Sequence, residues 1–104
     1  MINMIVNPAD RVFEALGSLP RRQMLSLLAQ TALSTAELAE RFAMSAPAVS
    51  RHLAVLQRAG LVSSEREGQR VLYRLNRDVL LGALARLASE VDGPLRRRTP
   101  REAI

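Results

Sequence analysis

Residues 34–75 read STAELAERFAMSAPAVSRHLAVLQRAGLVSSEREGQRVLYRL. Ser34-x-x-Glu37 has the form of a capping box. The Ser hydroxyl satisfies a first-turn N–H and the Glu returns to the cap's own N–H, so a helix is expected from Thr35. Leu38, Ala39 and Phe42 supply its inner face, and Ala43-Met44 makes a tight turn. Ser45 then caps a second helix, with Pro47 in the first turn where a missing N–H costs nothing. Val49, Leu53 and Leu56 recur at i, i+4 and i+7, which sets that helix's buried stripe, and Gly60 ends it. Leu61 to Arg66 and Arg70 to Leu75 are strand-like, joined through Glu67-Gly68-Gln69, where Gly is free to take a positive φ. The order is helix, turn, helix and Gly-tipped wing, an arrangement that can place one helix in a DNA major groove.

The flanks complete a five-helix plan. Asn7-Pro8 interrupts any earlier helix, so Asp10 to Leu16 starts a first helix or continues one after a bend, with Val12, Phe13 and Leu16 as its apolar stripe. Gly17 stops it. Ser18 caps a second helix with Pro20 in its first turn, running to about Gln30 and burying Met24, Leu25, Leu27 and Leu28. Asn76 or Asp78 caps a last helix that runs to about Asp92. The expected fold is mainly α with a β-hairpin wing, and the hairpin must pack on the helices because an isolated one is marginal. Residues 1–93 form the expected DNA-binding and dimerisation domain. Residues 94–104 form a basic tail expected to be disordered, either touching phosphates or simply solvated.

Composition narrows the chemistry. A length of 104 residues suits one small domain, and 48% hydrophobic residues suffice for a core. There is no Cys and one His, so neither a disulfide nor a thiolate metal site is available, and no metal or other cofactor is expected. No apolar run approaches the ~20 residues of a membrane span and no secretory pattern opens the chain, so the expectation is a cytoplasmic protein without membrane contact. No nucleophile–base pair, phosphate-cradling Gly loop or catalytic acid pair is apparent, which argues against an enzyme.

Net charge is +5, and every one of the 15 basic residues is Arg, the residue best suited to bidentate contact with phosphate and guanine. An Arg-biased genome would give the same composition. The distribution is more telling. Residues 21–77 hold nine of the Arg against four Glu, whereas residues 78–93 are slightly acidic. Such asymmetry is an electrostatic footprint for a polyanion.

With Val49 at the centre of the buried stripe and a step of about 100° per residue, Pro47, Arg51 and Arg58 fall on the exposed face of the reading helix, flanked by Ser50 and Ala54. Small residues near its N-terminus permit close approach to base edges, and Arg51 is the long donor expected to reach guanine N7 and O6. Ser45 and Ser50 are short donors suited to phosphates or bases. His52 lies about 60° from the stripe and suits a structural or phosphate-contacting role better than a metal site. Arg66, Gln69 and Arg70 bracket the wing tip, where a narrow minor groove would favour Arg. Arg21 and Arg22 open the second helix, whose N-terminus offers a place for a phosphate, and Arg22 is assigned to DNA on that ground.

The last helix is apolar over more than one core-facing stripe, and residues 1–6 add further apolar surface. A symmetric homodimer built from the first and last helices would bury the excess, with Ile5, Val12, Leu80, Leu84, Leu87 and Val91 at the seam.

The stretches ALGSLPRRQMLSLL, LSTAELAERFAMSAPAVSRHLAVLQRAGLV and SEREGQRVLYRLN together resemble the ArsR/SmtB family of bacterial winged-helix repressors, over about Val12 to Val91. That resemblance implies a homodimer that binds double-stranded operator DNA as an inverted repeat and represses transcription, often of its own gene. It implies Ser45, Pro47, Ser50, Arg51 and His52 as readers, with Arg66, Gln69 and Arg70 in the wing. The chain departs from the metal-sensing members: the third helix has STAELAERF in place of a Cys-containing motif, and the last helix has no His. A small-molecule or protein effector is left open. The competing reading is a winged helix that binds an acidic protein partner instead of DNA.

Overall fold

The computed structural model describes residues 7–93. Its elements are α1 (Pro8–Ala15), α2 (Leu19–Leu28), α3 (Thr35–Phe42), α4 (Ala46–Arg58), β1 (Val62–Glu67), β2 (Arg70–Leu75) and α5 (Arg77–Val91). The expected five helices and hairpin wing are all present.

Four helix starts follow from capping chemistry. Asn7 caps α1 by accepting from the Ala9 and Asp10 amides, and Asp10 returns to the Asn7 amide, so α1 begins here at Pro8. Ser18 caps α2, and Ser45 caps α4 by accepting from the Ala48 amide at 3.2 Å. Ser34 and Glu37 exchange both capping-box bonds at the start of α3. The turn between α3 and α4 passes through Ala43 at φ 51°, a left-handed conformation uncommon for a residue with a Cβ. Gly60 ends α4 at φ 77°.

The start of α5 departs from expectation. Asn76 occupies the cap position without a side-chain cap bond. Its Nδ2 instead donates to the Gly60 carbonyl at 2.8 Å, its Oδ1 accepts from Ser63 Oγ, and its amide donates to the Leu61 carbonyl at 2.8 Å. Asn76 thereby joins the end of α4, the root of the wing and the start of α5.

β1 and β2 pair antiparallel, with Val62 opposite Leu75 and Glu67 opposite Arg70. The turn is therefore Gly68-Gln69, and Gly68 takes φ 66° as the first central residue of a primed hairpin requires. The hairpin is not isolated. Leu33, just before α3, exchanges both backbone bonds with Tyr73 at 3.2 and 2.8 Å, a single-residue third strand that the sequence pattern did not anticipate.

The core is built from Val12 and Ala15 of α1, Met24, Leu25 and Leu28 of α2, Leu38 of α3, the Val49–Leu53–Leu56 stripe of α4, and Leu33, Leu61 and Val62. Phe13, Leu16 and Leu27 are only partly buried. No residue of α5 is buried, although Leu80 and Ala83 pack against the core. Leu84, Leu87 and Val91 stand 43%, 42% and 68% exposed, consistent with the surplus apolar surface read from the sequence. Val12 requires a correction: at 2% exposure it is part of the protomer's own core and offers no surface to a second copy. Ile5 and the 94–104 tail lie outside the described residues.

Candidate nucleic-acid interface

The buried stripe of α4 is satisfied within the protomer, which orients the rest of the helix. Val49, Leu53 and Leu56 are sealed against the core, so Pro47, Ser50, Arg51 and Arg58 face solvent. Ser45 is exposed, and its Oγ is engaged as the cap, which makes it first a structural residue. The exposed face therefore begins with small side chains and carries one long donor in its first two turns, Arg51.

His52 sits at the margin of this face and is half-buried. Arg21 Nη1 lies 3.3 Å from His52 Nδ1. A guanidinium only donates, so Nδ1 must accept, and the neutral ring then carries its proton on Nε2. Burial pushes the His52 pKa below the ordinary histidine value, and the nearby Arg21 and Arg51 cations push the same way. His52 is thus a neutral, oriented N–H donor beside Arg51.

The Arg pair divides its work differently from the sequence reading. Arg21 Nε donates to the Ala15 carbonyl at 2.7 Å and Nη2 to the Glu14 carbonyl at 3.4 Å, filling orphan acceptors at the end of α1 while its tip holds His52. Arg22 Nη1 donates to the Leu16 carbonyl at 2.6 Å and lines a groove between α2 and α5. The side chain that reaches α4 is therefore Arg21, while Arg22 stays at the start of α2, bonded to the end of α1. The repeated Arg in the sequence signalled a special α2 start but could not say which of the two turns toward α4.

The wing residues also separate. Paired residues project to one face of a hairpin, so Arg66 and Val71 share a face with Ser64 and Tyr73. Ser64 Oγ accepts from Gln57 Nε2 of α4 at 3.4 Å, which places Arg66 on the wing face next to the reading helix. Arg70 projects on the opposite face with Leu72, and its Nη2 lies 2.6 Å from Glu37 Oε1. Glu37 has a lowered pKa, chiefly because the Ser34 amide donates to it, with Arg70 adding to the effect. Gln69 is exposed at the tip. Glu65, which would be unwelcome near phosphate, is paired with Arg74 at 3.3 Å. Among the described residues no group of three or more His, Cys, Asp or Glu is arranged to hold a metal ion, and no helix is long and apolar enough to cross a membrane.

Comparison with known proteins identifies the family and the fold. Residues 20–64 match the family described as bacterial regulatory protein, arsR family. The transcriptional repressor SdpR of Bacillus subtilis (strain 168) is 38% identical over 71 residues, which span 68% of this chain and 79% of that protein. An ArsR-like transcriptional regulator from Rhodococcus sp. RHA1 superposes with a TM-score of 0.73 at 33% identity, covering 82% of this chain and 83% of that one. The homodimeric winged helix-turn-helix DNA-binding domain Mb0332 from Mycobacterium bovis superposes with a TM-score of 0.68 at 28% identity, covering 89% and 93% of the two chains.

Proposed function

This chain belongs to the ArsR family of bacterial regulatory proteins, and on that premise we propose that it is a homodimeric repressor that reads an inverted-repeat operator through α4. It is a DNA-binding transcriptional regulator and not an enzyme, as its relatives are regulators. The finer reading rests on one observation. The first two turns of the exposed face of α4 combine close-approach residues, Pro47 and Ser50, with one long donor, Arg51, and with an oriented His52 N–H at their margin. That is the donor pattern a major groove requires for base contact, with phosphate contacts setting register.

In this reading Arg51 contacts guanine, Ser45, Ser50 and His52 contact bases or phosphates, and Arg66 and Gln69 reach the flanking groove from the wing. Arg70 joins them only by leaving Glu37. The homodimer is supported by the exposed Leu84, Leu87 and Val91 of α5 and by the homodimeric Mycobacterium bovis relative. Two copies would set two α4 helices about one helical turn apart, ~34–36 Å, and repression would follow from occlusion of the promoter. Autoregulation and a cytoplasmic location belong to the same proposal.

The test is footprinting on the DNA upstream of the protein's own coding region, with a salt series and a random duplex as control. A protected inverted repeat whose affinity falls steeply with salt is expected. Equal, weak binding to both duplexes would reject an operator at the protein's own promoter and leave either a target elsewhere or a winged helix that binds a protein partner.

A further inference from the structure

The described face of the molecule between α2 and α5 contains a groove of about 400 Å³, within the range of small-molecule sites. Its walls are apolar: Leu25 from α2, Ala29 just past its end, and Leu80, Leu81 and Leu84 from α5. Two cations flank it and no carboxylate lines it. Arg22 is held there by the Leu16 carbonyl at 2.6 Å, and Arg77 by the Ala29 carbonyl at 3.1 Å. Each guanidinium carries five N–H donors, of which these bonds use one.

We propose that this groove binds an amphipathic carboxylate, with the acyl body along the α5 leucines and the carboxylate between Arg22 and Arg77. Charge complementarity selects this occupant. An apolar wall alone would accept any greasy group, but two arginines anchored by helix-end carbonyls favour an anion by charge-assisted bonding. The anchoring also lowers the cost of binding, because the guanidiniums are held before the ligand arrives. The site is distinct from the reading face of α4, since Arg22 points away from it. It shares Leu80 and Leu84 with the proposed dimer seam, so a second copy is the alternative cover, whereas Leu87 and Val91 do not line the groove.

The test is calorimetric titration of the full chain, without DNA, using decanoate and, for contrast, decyltrimethylammonium. One decanoate per chain is expected, with the cation at least tenfold weaker. Arg77→Ala should weaken decanoate at least fivefold, and Ser26→Phe, which places a ring in the groove from an exposed helix position, should abolish binding. Circular dichroism verifies that both variants are folded. Equal affinity for the two amphiphiles, no effect of either folded variant, or no saturable binding below the onset of micelles would each overturn the proposal. Because no DNA is present, failure here leaves the operator-reading proposal standing, and failure of footprinting leaves this one standing.

Discussion

Arg70 Nη2 lies 2.6 Å from Glu37 Oε1, so the wing's second strand is tied to the first turn of α3 by the same carboxylate that completes the α3 capping box. One side chain therefore serves both a helix start and the position of a wing cation. A phosphate would compete with Glu37 for Arg70.

Glu37→Gln separates these roles, because Gln can still accept from the Ser34 amide but carries no charge. The expected result is tighter DNA binding with a salt slope steeper by about one released counterion, as Arg70 becomes free to meet phosphate. Weaker binding in a salt titration would show instead that the ion pair is needed to hold the wing in place.

Arg51→Ala should relax preference at one base position by ~1–3 kcal/mol. Binding to a panel of operators substituted one position at a time checks this. An equal loss on operator and random DNA would remove Arg51 from base reading and make it a phosphate contact.

His52 links stability to pH. Its folded pKa is lowered, so below the ordinary histidine value of about 6.5 the unfolded chain binds a proton that the folded chain resists. Stability is therefore full above that value and falls as the pH drops toward the folded pKa. Protonation of Nδ1 also sets an N–H against the Arg21 Nη1 donor. Denaturant unfolding between pH 7.5 and 5 should show this decline, and His52→Gln should flatten it. Glu37, also lowered, contributes in a separate window below its ordinary carboxylate value, where stability is lost as the pH falls through its folded pKa. An unchanged slope in His52→Gln would assign the upper window to another group.

Asn76→Ala should cost about 1–3 kcal/mol, because it strips the Gly60 carbonyl of its part-buried donor. Asn76→Asp should be at least as harmful, since a carboxylate then faces that carbonyl. Thermal unfolding of both variants checks the order; a neutral Asn76→Ala would mean that the α4–wing–α5 junction is held by its backbone bonds alone.

Leu87→Glu combined with Val91→Glu should give a folded monomer in sedimentation at concentrations where the parent chain is dimeric. Neither residue is buried within the protomer, so helix content should persist. A dimer that survives both charges would place the seam elsewhere.

Much of this architecture was legible in local chemistry. Ser18, Ser34 and Ser45 stand where caps are required, Gly60 and Gly68 where a positive φ is required, and Val49, Leu53 and Leu56 at the spacing of a buried stripe. These signals act within a few residues, because a cap or a turn is satisfied by its own neighbours. The exposed face of α4, and with it Arg51, follows from the same periodicity.

What the tertiary structure alone decided are the pairings between segments far apart in the chain. Leu33 meets Tyr73, Arg21 meets His52, Glu37 meets Arg70, and Asn76 turns from capping α5 to joining it to Gly60. Periodicity says that a side chain lies on an inner or outer face, but not which element covers that face. That is why Val12 passed from the dimer seam to the core and why only the structure shows Arg21, not Arg22, meeting α4. Local sequence thus set the starts of α2, α3 and α4 and the buried side of α4, while packing chose which long polar side chains reach which neighbours, because those choices depend on distances that exist only once the helices are in contact.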